Sequence, residues 1–182
     1  MVLGTRKRHG PVVFRAPAYS SILKDPYKRS NSVKLEFTPT FEVKEALLLF
    51  KESVSLQNDE LIQRTGQVFL SLLNDIFGIT AGVELSVMGK RPSRRRSDPL
   101  TGKRRIMSSV HGKYFPNKAM IALYTLTATG RRVAFKTLFN TLIHEFCHHL
   151  DYKHPTLGLS ASLHTKGFYD RLNAIYAPLK DV

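Results

Sequence analysis

The stretch that decides the reading is RVAFKTLFNTLIHEFCHHLDYK, residues 132–153. Wound at 3.6 residues per turn, Phe139, Leu142, Ile143, Phe146 and Leu150 fall within an arc of about 100°. His144 and His148 fall on the opposite side, with Thr137, Thr141 and Tyr152 near them. One face of this helix is therefore core, and the other presents two imidazoles. Positions i and i+4 differ by only about 40° around a helix, so the two histidines point the same way and can grip one ion. Glu145 projects about 100° from His144, where it can reach a water on that ion without occupying the metal. The residues His144-Glu145-Phe146-Cys147-His148 thus form an HExxH pattern. Paired neutral imidazoles favour zinc, and zinc with an open position acidifies a bound water, so Zn2+ is the expected cofactor.

A tetrahedral catalytic zinc needs a third protein ligand. His154 stands six residues after His148, the spacing of an extended HExxHxxGxxH motif. Asp151, however, takes the place of that motif's turn glycine, and no methionine follows residue 120. His164 stands sixteen residues after His148, at the start of a last helix expected over 164–176. It shares one stripe of that helix with Phe168, Leu172 and Ile175, which turns it inward. Asp151 and Asp170 are further candidates. No glutamate follows Glu145, so a downstream glutamate ligand is excluded.

Outward from these helices the pattern predicts an α+β domain. Residues 1–40, with Gly10, Pro11, Pro17, Pro26 and Pro39, read as a basic extended arm. A helix begins at Phe41, and Asn58 and Asp59 cap a second, which Gly78 ends. Val83, Leu85 and Val87 alternate with Glu84, Ser86 and Met88 as in a short strand. A basic loop spans 89–105, Ile106–His111 is a second candidate strand, and Ala119–Thr125 is the strongest strand. Ser162 is the expected cap of the last helix. The arm is thus followed by one domain over 41–182.

The 182 residues suit a single domain with its own core, since 42% are hydrophobic and 10% aromatic. The single cysteine, Cys147, rules out an internal disulfide and a cysteine-rich zinc ribbon, and its place near the apolar face predicts a buried, inert thiol. No apolar run approaches a membrane span, and the basic N-terminus lacks a signal-peptide core. A soluble, cytoplasmic protein without membrane contact is expected.

Lysine and arginine number 28 against 14 acids, a net charge of +14 that attracts polyanions. Eight of these cations lie in residues 1–34 and eight in 90–105, the latter including Arg94, Arg95, Arg96, Lys103, Arg104 and Arg105. Only Asp98 opposes the second run. It is either a solvated loop that keeps the chain soluble or a contact to nucleic-acid phosphates without base readout.

The segments HEFCHH (144–149) and HTKGFYDRL (164–172) resemble the SprT-like zincin family, which includes Spartan-type DNA–protein crosslink proteases. Members pair HExxH with a distal histidine in a His-Gly-x-x-Phe-like helix start. Here His164 matches the histidine and Phe168 the aromatic, while Thr165 stands where glycine is common. The likeness covers roughly 58–177. It implies a zincin fold with N-terminal helices, a small mostly antiparallel sheet, the HExxH helix and a second ligand-bearing helix. It also implies a zinc metalloendopeptidase with His144, His148 and His164 as ligands and Glu145 as general base. In that architecture an extended protein or peptide substrate adds to an exposed strand edge, for which 119–125 is the candidate. With one cysteine, the cysteine-rich module of many members is not expected here, and the basic loop 89–105 and the arm 1–34 are the expected substitutes for DNA contact, on their charge alone.

Tyr152, Tyr169 and Arg171 are within sequence range of an oxyanion, though each also suits a packing or surface place. His149, about 100° from His148, is expected to support the ligands or to lie on the surface. His9 and His111 have no recognisable partners. Competing with a DNA-associated peptidase are a peptidase with no nucleic-acid role and a non-enzymatic nucleic-acid-binding protein on the same fold. The intact Glu145 favours an enzyme, because metal binding alone does not require it.

Overall fold

A computed structural model describes residues 11–16, 25–97, 101, 104–159 and 164–182. In chain order the elements are β1 (Val12–Arg15), α1 (Pro26–Ser32), β2 (Lys34–Phe37), α2 (Phe41–Ser55), α3 (Asp59–Ile76), β3 (Glu84–Lys90), β4 (Ser93–Ser97), β5 (Arg104–Ser109), β6 (Gly112–Phe115), β7 (Met120–Leu126), α4 (Phe135–Lys153) and α5 (Lys166–Tyr176). The architecture is α+β, as expected.

The helix limits follow local chemistry. Thr40 caps α2 by accepting from the Val43 N–H. Asn58 caps α3 through Oδ1, which accepts from the N–H groups of Glu60 and Leu61 at 3.1 Å each. Gly78 at φ 65° ends α3, in a left-handed conformation that costs glycine little. Thr165, rather than Ser162, caps α5; Ser162 lies outside the described residues.

The central sheet has the order β3–β7–β6, with β3 parallel and β6 antiparallel to β7. Leu85, Ile121 and Leu123 from this sheet are fully buried, as are Leu142, Ile143 and Phe146 of α4. Helix α3 packs on β3, α4 on β6 and β7, and α5 on α4. The expected single, mostly antiparallel sheet is therefore three separate small sheets among the described residues. Three of their four ladders are antiparallel, but the longest is the parallel β3–β7 pairing.

Two segments differ from the sequence reading. The arm contains a β1–β2 antiparallel pair and helix α1, with Val33, Leu35 and Phe37 in the core. Its short elements carry too few residues for a periodic signal, and they form because α5 offers a surface to pack on. The basic loop contains the antiparallel β4–β5 hairpin, with Arg96 opposite Arg105 and a bulge between Arg94 and Arg95. Its charges hid it, since a hairpin held by backbone pairing need not show apolar alternation.

Candidate metal centre

His144 and His148 stand one helical turn apart on α4, as their spacing requires. His164 precedes the cap of α5, so it lies just outside the helix rather than on its apolar stripe. Tertiary packing nevertheless brings it to the pair: its Nε2 lies 3.0 Å from Nε2 of His144 and 3.0 Å from Nε2 of His148. The expected inward neighbour Phe168 is fully buried beneath the trio, with its ring centroid 4.6 Å from that of His148 and 5.1 Å from that of His144.

A single imidazole nitrogen carries either one hydrogen or one lone pair, so His164 Nε2 cannot make two good hydrogen bonds in these directions. Three lone pairs converging on one cation satisfy the arrangement. Burial lowers the pKa of His144, and the neighbouring His164 lowers it further. Burial, then the charges of His144 and His164, brings His148 down to about 4. Both rings are therefore neutral near pH 7, the state in which imidazole binds metal. Among the described residues, these three histidines can together hold a metal ion.

The other ligand candidates are engaged elsewhere. His154 caps α4 and packs edge-on against Phe14, with ring centroids 4.7 Å apart. Asp151 forms a fully buried ion pair with Arg171, with Oδ2 2.6 Å from Nη2. Asp170 pairs with Lys34 and Lys166 at the surface. The same ion pair removes Arg171 from the oxyanion candidates. Tyr152 lies against Tyr114, and Tyr169 stacks beside His164. Cys147 is buried, as expected, and burial pushes its thiol pKa well up.

Glu145 is buried beside the histidines, and the Tyr114 backbone N–H donates to its Oε2 at 2.8 Å. Burial raises this carboxyl to about 7, against the opposing pull of that hydrogen bond. Oε1 has no partner among the described residues. His144 and Glu145 open onto a cavity of about 420 Å³ also lined by His111, Gly112, Thr137, Asn140 and Thr141.

The strand beside Glu145 is β6, not 119–125. Strand β7 is paired on both sides, by β3 and by β6, so its edge is closed. Its strong apolar character marks a central strand. Ladder parity turns the backbone groups of Gly112 and Tyr114 away from β7, since His111 accepts from Tyr124 N–H. A Cβ at Gly112 would sit 2.5 Å from Thr141 Cγ2 and 3.3 Å from Glu145 Cγ, so glycine permits the close approach of β6 to α4. Gly112, Tyr114 and His111 were not legible as site residues, because a four-residue strand containing glycine and lysine carries no period-two signature.

Arg94, Arg95 and Arg96 lie on β4, and Arg104 and Arg105 on β5; Lys103 lies outside the described residues. Among the described residues no helix is long and apolar enough to cross a membrane. Comparison with protein-family models, curated proteins and solved structures finds no match to this chain.

Proposed function

We propose that this chain is a zinc metallopeptidase of the SprT-like zincin type, acting in the cytoplasm on proteins associated with or crosslinked to DNA. The carrying observation is the convergence of three Nε2 atoms beside a buried glutamate. Nitrogens bound tetrahedrally to zinc at 2.0–2.1 Å stand about 3.3 Å apart, close to the 3.0 Å separations of His164 from His144 and His148. An all-imidazole donor set suits zinc better than the hard cations that prefer oxygen. Zinc held there would polarise a peptide carbonyl and acidify a water.

The protein's own share is positional and protonic. Tyr114 N–H anchors Oε2 of Glu145, which leaves Oε1 to take a proton from the attacking water and pass it to the leaving amine. The raised affinity of this carboxyl for protons suits it to both transfers. The cavity beside His144 supplies room for the substrate next to these groups.

Glu145→Gln keeps the shape and removes the base. Turnover of an unfolded protein is expected to fall at least about 100-fold, while zinc content holds. Turnover equal to wild type would end the catalytic reading. Zinc content is expected to fall in His164→Ala and to hold in His154→Ala.

A second reading, a non-enzymatic protein that binds nucleic acid, is favoured by one observation. The β4–β5 hairpin carries Arg94, Arg95, Arg96, Arg104 and Arg105 along its sequence, a density of cations that suits a polyanion.

A further inference from the structure

We propose that helix α1 is a clamp that positions His164, with Ser30 and Asn31 as positioning residues for the third ligand. The inference rests on the metal reading above. His164 belongs to no helix or strand, so something beyond regular backbone pairing must hold its ring within reach of His144 and His148.

Helix α1 contacts the residues that follow His164. Ser30 and Thr165 are both about 1% exposed, with their hydroxyls 2.7 Å apart. Thr165 Oγ1 also accepts from the Phe168 N–H at 3.1 Å, which sets the first turn of α5. The next first-turn donor, Gly167 N–H, is taken by Asn31 Oδ1 at 2.7 Å. A Cβ at Gly167 would collide with the Ser30 carbonyl, so α1 lies closer to this turn than any side chain would allow.

The clamp also reaches α4. The fully buried Arg171 donates from Nε and Nη2 to both oxygens of Asp151, at 2.9 and 2.6 Å. Its remaining hydrogens go to the carbonyls of Ser30 and Val33 and to Ser30 Oγ. All five guanidinium N–H groups are thus used, and one side chain ties α1, α5 and α4 together. Asp151 stands on the helix that carries His144 and His148. The distance between the α4 pair and the third ligand is therefore set through α1, before any metal arrives. A ligand held in place in advance loses less freedom on binding, which raises affinity.

The test is a cycle of Zn2+ affinities, measured by chelator competition for wild type, Ser30→Ala, His164→Ala and the double variant. Asn31→Ala serves as an independent second probe. Ser30→Ala is expected to weaken zinc binding by about tenfold, the low end for groups that support a ligand. It should cause no further loss once His164 is gone. A role confined to folding would instead weaken zinc equally in both backgrounds, and that result, or unchanged affinity in both single variants at α1, overturns the clamp. Ring signals of His164 in histidine-labelled, metal-free protein give a second readout. If wild type holds no zinc, the metal reading fails by itself. The clamp then stands if Ser30→Ala shifts and broadens the His164 signals, and falls if they are unchanged.

Discussion

His149 shows how much one residue's surroundings decide. It is fully buried rather than on the surface, and its ring nitrogens face away from the three converging histidines, towards Asn74 and Tyr114. Asn74 uses its amide hydrogens on the carbonyls of Ile79 and Ala81, so its Oδ1 accepts from His149 Nε2 at 2.9 Å. The other ring nitrogen, Nδ1, then accepts from the Tyr114 hydroxyl at 3.0 Å. Burial raises the Tyr114 hydroxyl to about 12, which keeps it a donor. Burial also pushes His149 down to about 4 from an ordinary 6.5. As pH falls through this window the unfolded chain takes up a proton that the folded chain refuses. Stability is full above 6.5 and declines towards 4, by up to about 3 kcal/mol from this ring. His148, held near 4 by burial, adds to the slope in the metal-free protein. Urea unfolding near pH 7.5, 5.5 and 4 checks this; equal stability across the series would contradict it.

Among the elements, α3 does more than cover the sheet. Gln63 and Gln67 lie one turn apart, on one face, and treat β3 as a neighbouring strand would. Gln67 accepts from Leu85 N–H at 2.7 Å and donates to the Val83 carbonyl at 2.8 Å. Gln63 accepts from Val87 N–H at 2.6 Å and donates to the Leu85 carbonyl. The outer edge of β3 is thereby closed, which leaves β6 as the edge facing the candidate centre. Replacing both glutamines with leucine would strand two backbone N–H groups, at about 1–3 kcal/mol each. A lower urea midpoint and concentration-dependent self-association in sedimentation are expected; a variant matching wild type in both would show the edge needs no cover. The existence of α2, α3, α4, β3 and β7 was legible because each is long or strongly patterned. The function of the glutamines was not, since a polar residue on a helix looks alike whether it meets water or a strand edge.

At the scale of the molecule, eight of the 28 cations behind the charge of +14 lie in residues 90–105, the segment that holds β4 and the start of β5. If that hairpin meets DNA phosphates, replacing Arg94, Arg95 and Arg96 by glutamine should weaken binding and flatten its salt dependence. Each lost phosphate contact lowers the slope by about 0.9. Binding of a DNA duplex measured across a salt series decides this, and an unchanged slope would leave the hairpin without that role. The sequence by itself determined the α+β class, the pairing of His144 with His148, the place of Glu145 beside them and the burial of Cys147. Those outcomes follow from the pitch of one helix and from its apolar face, which are local properties. Only the tertiary structure decided that His164 completes the trio while His154 packs on Phe14, that Asp151 serves Arg171, and that β6 rather than β7 borders the centre. These depend on which distant segments meet, and such meetings are settled by packing, by buried donors finding acceptors and by strand order, none of which has a spacing that can be read along the chain.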